Sequence, residues 1–103
     1  MSEMKLGFTP THPGEVLKDE IEYRHLSQSM LAKQMGMSYK ILNDILNERR
    51  PVSTTTALMF EAALGIPAYS LINIQNEYNL QVASHDKSLA ERLAKIRNAV
   101  AIL

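Results

Sequence analysis

The chain has 103 residues, enough for one domain, and 46% of them are apolar, as in an ordinary globular protein. It has no cysteine, which excludes disulfides, thiolate zinc sites and thiol nucleophiles. No apolar run approaches the roughly 18 residues of a membrane span, and the N-terminus lacks the apolar core of a signal peptide. We therefore expect a cytoplasmic protein with no membrane contact.

The formal net charge is zero, but the charges are distributed unevenly along the chain. Residues 1–23 carry two lysines and five acids, net −3, whereas residues 24–50 carry five basic residues and two acids, net +3. A basic segment inside a neutral chain predicts one focused contact with a polyanion and argues against indiscriminate binding.

Residues that typically begin or end helices recur along the chain. Proline suits the first helical position, Ser, Thr or Asp accepts a free backbone N–H there, and glycine adopts the left-handed conformation that ends a helix. These signals are Pro13, Ser27, Gly36, Ser38, Pro51, Ser53 or Thr54, Gly65, Pro67 and Asp86. They predict five or six helices, the first ending near Tyr23 and the fifth near Leu80, and we find no strand alternation of useful length.

The turn between the second and third predicted helices has a demanding pattern. Ala32 is small enough to let the two helices cross closely, and Gly36 supplies a positive φ one residue past the second helix. Met37 follows and can plug the crossing. The third helix is then predicted to bury Leu42, Ile45 and Leu46 and to leave Tyr39, Lys40, Asn43 and Asp44 free.

The stretch from Gln28 to Asn47 resembles the helix-turn-helix of the Cro/phage-repressor class, the XRE family. That class has Ala, Gly and five apolar residues at fixed offsets, and here they are Leu31, Ala32, Met35, Gly36, Met37, Leu42 and Ile45. The resemblance implies an all-α, five- or six-helix Cro/phage-repressor-like DNA-binding domain with an added C-terminal helix. A plain helical hairpin in a bundle is the alternative.

This interpretation divides the chain into three parts. Residues 1–11 are expected to be a flexible N-terminal arm, 12–83 the helix-turn-helix DNA-binding domain, and 84–103 a C-terminal helix that is a candidate dimerisation element.

Segments around the motif resemble the HigA group of antitoxins: His12–Leu17, Asn47–Ser53, Thr56–Leu58 and Ala63–Gly65. HigA proteins bind operator DNA as dimers and neutralise a toxin that cleaves mRNA. The resemblance covers about residues 12–80, and it implies a type II antitoxin that represses its own operon and binds a small basic, HigB-like ribonuclease. This chain departs from the group at Tyr39, where Arg is frequent, and between Ala68 and Asn73, where a Trp is frequent.

A recognition helix enters the major groove with its N-terminus first, so residues at its start and one turn later reach base edges. Those residues are Ser38, Tyr39, Lys40 and Asn43. Lys40 can donate to guanine O6 and N7, and Asn43 can pair with adenine N6 and N7. For Lys40 the alternative is an ordinary solvated charge.

Other residues are candidates for contacts with the DNA backbone. Gln28 occupies the position where the XRE pattern places a phosphate contact, and Arg49 and Arg50 follow the recognition helix as candidate phosphate clamps or as solvated charges. Asp44 and Glu48 would repel phosphate, so we expect them to point along the groove or to pair with those arginines.

The end of the chain carries an apolar stripe with spacings of 4, 3, 4 and 3: Leu89, Leu93, Ile96, Val100 and Leu103. Two heptads are too short for an independent coiled coil. The stripe either packs on its own domain or pairs with a second copy in a homodimer, and DNA binding by a short recognition helix favours the dimer.

The first predicted helix is a candidate surface for the toxin. Residues 13–23 hold four acids against one lysine, and an acidic surface suits a basic toxin. We expect this helix to lie away from the DNA, so that toxin and DNA bind at the same time.

The sequence also lacks the usual patterns of an enzyme or a metal site. His12, His25 and His85 lack metal-ligand spacing, and no glycine-rich phosphate loop is present, so we expect no enzyme, metal or cofactor. A stand-alone XRE repressor without a toxin, or an interaction module with a vestigial DNA helix, remain alternatives.

Overall fold

The computed structural model describes residues 9–103, and this part of the chain forms six α-helices without a strand. They are α1 (Pro13–Tyr23), α2 (Gln28–Met35), α3 (Tyr39–Leu46), α4 (Thr54–Leu64), α5 (Ala68–Ser84) and α6 (Lys87–Ala101). The predicted all-α class is confirmed. Residues 1–8, most of the predicted flexible arm, lie outside the described residues.

The helix ends follow the chemistry of the capping residues. The side chains of Ser27, Ser38, Ser53 and Asp86 each accept the backbone N–H three residues later, and Gly36 and Gly65 adopt φ of +69° and +76° at C-terminal ends. One prediction is wrong: α5 continues four residues past Leu80 to Ser84. The reason is that no Gly or Pro interrupts this segment, and polar side chains alone do not end a helix.

A single core joins α1 to α5 and fixes the orientation of α3. Its buried apolar residues are Leu17, Ile21, Leu31, Ala32, Leu42, Ile45, Leu46, Val52, Ala57, Phe60, Leu64, Ala68 and Leu71. The three residues predicted for the inner face of α3 are among them. Full burial of one such side chain stabilises the fold by about 1.5–3 kcal/mol, so α3 is held firmly while its opposite face points outwards.

Close packing of α1 against α3 depends on a glycine. A Cβ atom at Gly14 would overlap the carbonyl oxygen of Ile45, which is backbone and cannot move aside cheaply. The small residue therefore lets the N-terminal end of α1 lie directly on α3.

His12, which the sequence showed only as one of three scattered histidines, begins α1. Its Nδ1 accepts the backbone N–H of Gly14 at 2.8 Å, and its ring meets that of Tyr78 on α5 edge to face, with centroids 4.8 Å apart. The residue is buried. Burial lowers the pKa of His12 below its ordinary value of 6.5, although the carboxylate of Glu48 opposes that shift.

The free energy of unfolding should therefore fall as the pH is lowered from about 7 to 5. In this range the unfolded chain takes up a proton that the folded state resists, because neutral Nδ1 must accept the N–H of Gly14. His12→Asn retains a capping side chain but does not titrate here, and it should flatten the pH dependence. His12→Ala should cost about 1 kcal/mol at neutral pH.

Urea unfolding at a series of pH values measures this effect. His25→Asn, which replaces an exposed histidine, is the matched control and should keep the wild-type slope. Equal slopes in the wild type and His12→Asn would show that His12 is not the titrating group.

α6 lies outside this core. None of its residues is buried, and among the other helices its main neighbour is the preceding helix α5. The radius of gyration is 17.3 Å, compared with about 13 Å for a compact domain of this length. Leu93, Ile96 and Val100 are 40%, 51% and 58% exposed. In the single chain these three side chains of the stripe are therefore only partly covered by their own domain.

Within residues 9–103, the structure has no helix with the length and apolarity needed to cross a bilayer.

Candidate nucleic-acid interface

The turn between α2 and α3 is a Schellman motif. The backbone N–H of Gly36 donates to Lys33 O at 3.1 Å and that of Met37 donates to Ala32 O at 2.9 Å. Met37 is half-buried and packs against the core, as predicted for the residue that plugs the crossing. The turn thus fixes the angle between the two helices and exposes the N-terminal end of α3.

The exposed end of α3 carries Ser38, Tyr39 and Lys40, with half-buried Asn43 one turn later. The hydroxyl oxygen of Ser38 accepts the N–H of Ile41 at 3.1 Å, so its hydrogen is still available to donate. All four residues predicted to meet base edges therefore lie on one surface, which is polar and rich in hydrogen-bond donors.

Asn43 joins residues from three different segments. Its Nδ2 donates to Gln28 Oε1 on α2 at 3.2 Å, and its Oδ1 accepts from Arg49 Nη2 at 3.0 Å in the turn after α3. Gln28 and Arg49, which were predicted separately, are thus both hydrogen-bonded to Asn43. Each amide retains donors for an outside acceptor, since Gln28 Nε2 donates to no group within residues 9–103 and Asn43 Nδ2 has a second hydrogen.

Asp44 corrects one prediction and confirms another. It was expected on the free face of α3, but its side chain is only 13% exposed, because two cations cover it. Lys40 Nζ donates to Oδ2 at 3.0 Å, and Arg49 donates to Oδ1 from Nε at 3.1 Å and from Nη2 at 3.0 Å. The expected pairing of Asp44 with an arginine is confirmed. These hydrogen bonds, first that from Lys40 and then that from Arg49, lower the pKa of Asp44.

A second Schellman motif after α3 brings Arg49 back to Asp44. The N–H of Glu48 donates to Ile45 O at 3.1 Å and that of Arg49 donates to Asp44 O at 2.7 Å. Glu48 occupies the position usually taken by glycine, with φ of +65°. Among the described residues, Arg50 forms no hydrogen bond or ion pair, so the two arginines that looked equivalent in the sequence differ.

The segment beyond this turn is held by a residue that sequence reasoning missed. Buried Gln75 on α5 accepts the N–H of Val52 through Oε1 at 2.8 Å. No local pattern links residues that lie 23 positions apart. The Lys40–Asp44 pair, in contrast, has the i,i+4 spacing of ion pairs on helices, and that spacing was a usable signal.

Residues 17–71 match the family described as Helix-turn-helix, and they make up more than half of the chain. The chain belongs to the XRE helix-turn-helix family. It is a DNA-binding protein of this family, and its helix-turn-helix lies where the motif predicted it.

The proteins that this XRE protein resembles include antitoxins, and some of them have been solved in complex with DNA. Virulence-associated protein I of Dichelobacter nodosus is 38% identical over 77 residues, which cover 74% of this chain and 71% of the relative. The structure of PA4674 from Pseudomonas aeruginosa with its operator DNA has 35% identity and a TM-score of 0.69, covering 75% of this chain and 84% of that one.

The Pseudomonas aeruginosa antitoxin HigA, solved with the higBA promoter, has 31% identity and a TM-score of 0.73, covering 87% of this chain and 94% of that one. The predicted likeness to HigA antitoxins is therefore confirmed.

Proposed function

We propose that this protein is the antitoxin of a type II toxin–antitoxin pair, which binds its operator as a dimer, represses its own operon and neutralises an mRNA-cleaving toxin. The observation that carries the DNA-binding part is the outward face of α3, where base-reading and phosphate-binding candidates form one hydrogen-bonded group. The toxin-binding part is supported by the relatives and by the charge of α1.

On the DNA, we assign base contacts to the N-terminal end of α3 and backbone contacts to its surroundings. Ser38, Tyr39, Lys40 and Asn43 meet base edges in the major groove. Gln28 donates to a phosphate through its Nε2, at the N-terminus of α2, where the helix dipole favours an anion. Arg49 and Arg50 bind phosphates beside the recognition helix.

We assign dimerisation to α6. Leu89, Leu93, Ile96 and Val100 lie on one stripe of a helix that has no buried residue and leaves three of them largely exposed. A contiguous exposed apolar patch on a protein surface marks a candidate protein–protein interface. In the proposed dimer, the two recognition helices bind half-sites about 34 Å apart, one helical turn of DNA.

The acidic side of α1 is our candidate surface for the toxin. Glu15, Asp19 and Glu22 are spaced by four and three residues and share one side of the helix. Lys18 Nζ lies 3.4 Å from Asn47 Oδ1, so this side adjoins the turn after α3 and its Glu48. It is therefore nearer to the DNA-facing surface than the sequence suggested, and we propose that a basic toxin docks there next to the operator.

The chain should form a tight complex with a small basic ribonuclease encoded by the neighbouring gene, and binding should persist on operator DNA. The variant Asp19→Lys/Glu22→Lys should weaken it at least about tenfold, because both substitutions place positive charge against a basic surface. Isothermal titration with and without the operator duplex measures both effects.

Glu77→Lys, a charge reversal on the exposed side of α5, is the control and should bind normally. No binding of the neighbouring gene product at micromolar concentration, or a neighbour that does not arrest growth when expressed alone, would favour the stand-alone repressor.

DNA binding is tested by fluorescence anisotropy with the DNA upstream of the protein's own reading frame. The dimer should bind this duplex more tightly than a shuffled duplex of equal length and composition. Equal affinity for the two duplexes would refute operator recognition.

A further inference from the structure

Five polar residues of the candidate interface form one continuous chain of hydrogen bonds. In order, they are Gln28, Asn43, Arg49, Asp44 and Lys40, and the individual distances run from 3.0 to 3.2 Å. The carboxylate of Asp44 is the only anionic group among them. Because its two oxygens accept from two different cations, the position of both cations depends on this one residue.

Asp44 reaches the base-reading amide through Arg49. Both hydrogens of Arg49 Nη2 are used, one toward Asp44 and one toward Asn43. A guanidinium can only donate, so it fixes the Asn43 amide with its oxygen toward Arg49 and its nitrogen toward Gln28. Adenine recognition needs one amide oxygen and one amide nitrogen in defined places, so this orientation matters for the choice of base.

The same carboxylate restrains Lys40. An unpaired lysine at the start of a recognition helix can bind any nearby phosphate, which adds affinity for every sequence alike. Paired with Asp44 at 3.0 Å, the ammonium is held on the face of α3. The negative charge of Asp44 on α3 also repels the phosphates of a duplex that is not correctly seated on the helix.

We propose that Asp44 is the positioning residue that sets the base preference of this surface. It holds Lys40 and Arg49 in fixed positions, so that these cations meet bases and phosphates only of a correctly seated duplex. This inference rests on the proposed DNA-binding function. A buried carboxylate that makes no base contact of its own thereby controls how well the protein discriminates operator from other DNA.

Asp44→Asn should raise affinity for non-operator DNA and lower the preference for operator about tenfold. The substitution removes one negative charge and releases two cations, so more phosphates are neutralised on any sequence. The dependence of log K on log salt for non-operator DNA should then steepen by about one per half-site. A purely structural role for Asp44 would weaken both duplexes together and would not steepen this slope.

Arg49→Lys tests the same chain without disturbing a buried residue, since the Arg49 side chain is 58% exposed. Lysine keeps the positive charge, so a simple phosphate clamp would survive the change. It cannot hold Asp44 and Asn43 together as the planar guanidinium does. The operator preference, measured as the ratio of the affinities for the two duplexes, should therefore fall about tenfold.

The experiment measures anisotropy of the wild type, Asp44→Asn, Arg49→Lys and Glu61→Gln with the upstream duplex and its shuffled counterpart over a series of salt concentrations. Glu61→Gln removes one negative charge from α4, outside the hydrogen-bonded chain, and should retain the operator preference. Thermal unfolding checks that each variant is folded. If Asp44→Asn does not fold, the operator preference of Arg49→Lys tests the proposal.

Loss of preference in Asp44→Asn and Arg49→Lys, with Glu61→Gln unaffected, supports the proposal. Wild-type preference in a folded Asp44→Asn or in Arg49→Lys overturns it while leaving the DNA-binding function intact. Equal binding of both duplexes by the wild type refutes the DNA-binding proposal itself, and this inference with it.

Discussion

Asn43→Ala should lower the affinity of the dimer for its operator by about 2–6 kcal/mol, since each base contact contributes about 1–3 kcal/mol and a dimer has two. The substitution removes the amide that pairs with adenine, and it also frees Gln28 and Arg49 from their shared partner. Lys40→Ala should act in the same direction through lost contacts to guanine. In both variants the base preference should relax, because affinity for non-operator DNA does not depend on these contacts.

Competition anisotropy with duplexes that carry single base changes measures that preference. Asn76→Ala, the same substitution at an exposed position of α5, is the matched control. Arg50→Ala should weaken all sequences alike and flatten the salt dependence by about one per half-site. If Arg50→Ala changes the base preference and Asn43→Ala does not, the assignment of base and phosphate contacts is reversed.

Deletion of residues 85–103 should convert the dimer to a monomer and reduce operator affinity by about a hundredfold or more. Two separate monomers then bind the two half-sites independently, without the gain in affinity that comes from linking them in one dimer. Because α6 contributes no buried residue to the core, the remaining domain should still unfold cooperatively.

Ile96→Glu and Lys95→Glu make a matched pair on α6, because both introduce the same side chain at exposed, adjacent positions. Only Ile96→Glu places a charge on the apolar stripe, so only this variant should shift the mass measured by light scattering toward the monomer. An unchanged dimer after deletion of residues 85–103 would show that another surface holds the two copies together.

Local chemistry explains why the helices could be predicted from the sequence. Ser27 and Ser38 cap helices through contacts within three residues, and Gly36 provides a backbone conformation that other residues rarely adopt. The inner face of α3 also follows from spacing alone. In each case the deciding interaction lies within one or two turns of the chain.

The arrangement of the site depends on contacts that spacing does not encode. Glu48 adopts a left-handed conformation without being a glycine, so the turn that brings Arg49 back to Asp44 could not be predicted, although the charges predicted that Asp44 pairs with an arginine. His12 caps α1 in a pocket closed by Tyr78, far away in sequence. The residue types of the interface and the pairing of Asp44 with an arginine were therefore predictable, whereas the hydrogen bonds that link Gln28, Asn43 and Arg49 required the tertiary structure.

We expect α3 to read bases in the major groove as one half of a dimer. Selection of bound duplexes from a random-sequence library, with the full chain, measures this base preference without assuming an operator sequence. We predict a palindrome whose half-sites are centred about 34 Å apart, with a conserved adenine in each half that loses its enrichment when selection is repeated with Asn43→Ala. A library that yields no enriched sequence, or the same sequence for wild type and Asn43→Ala, would contradict the assignment.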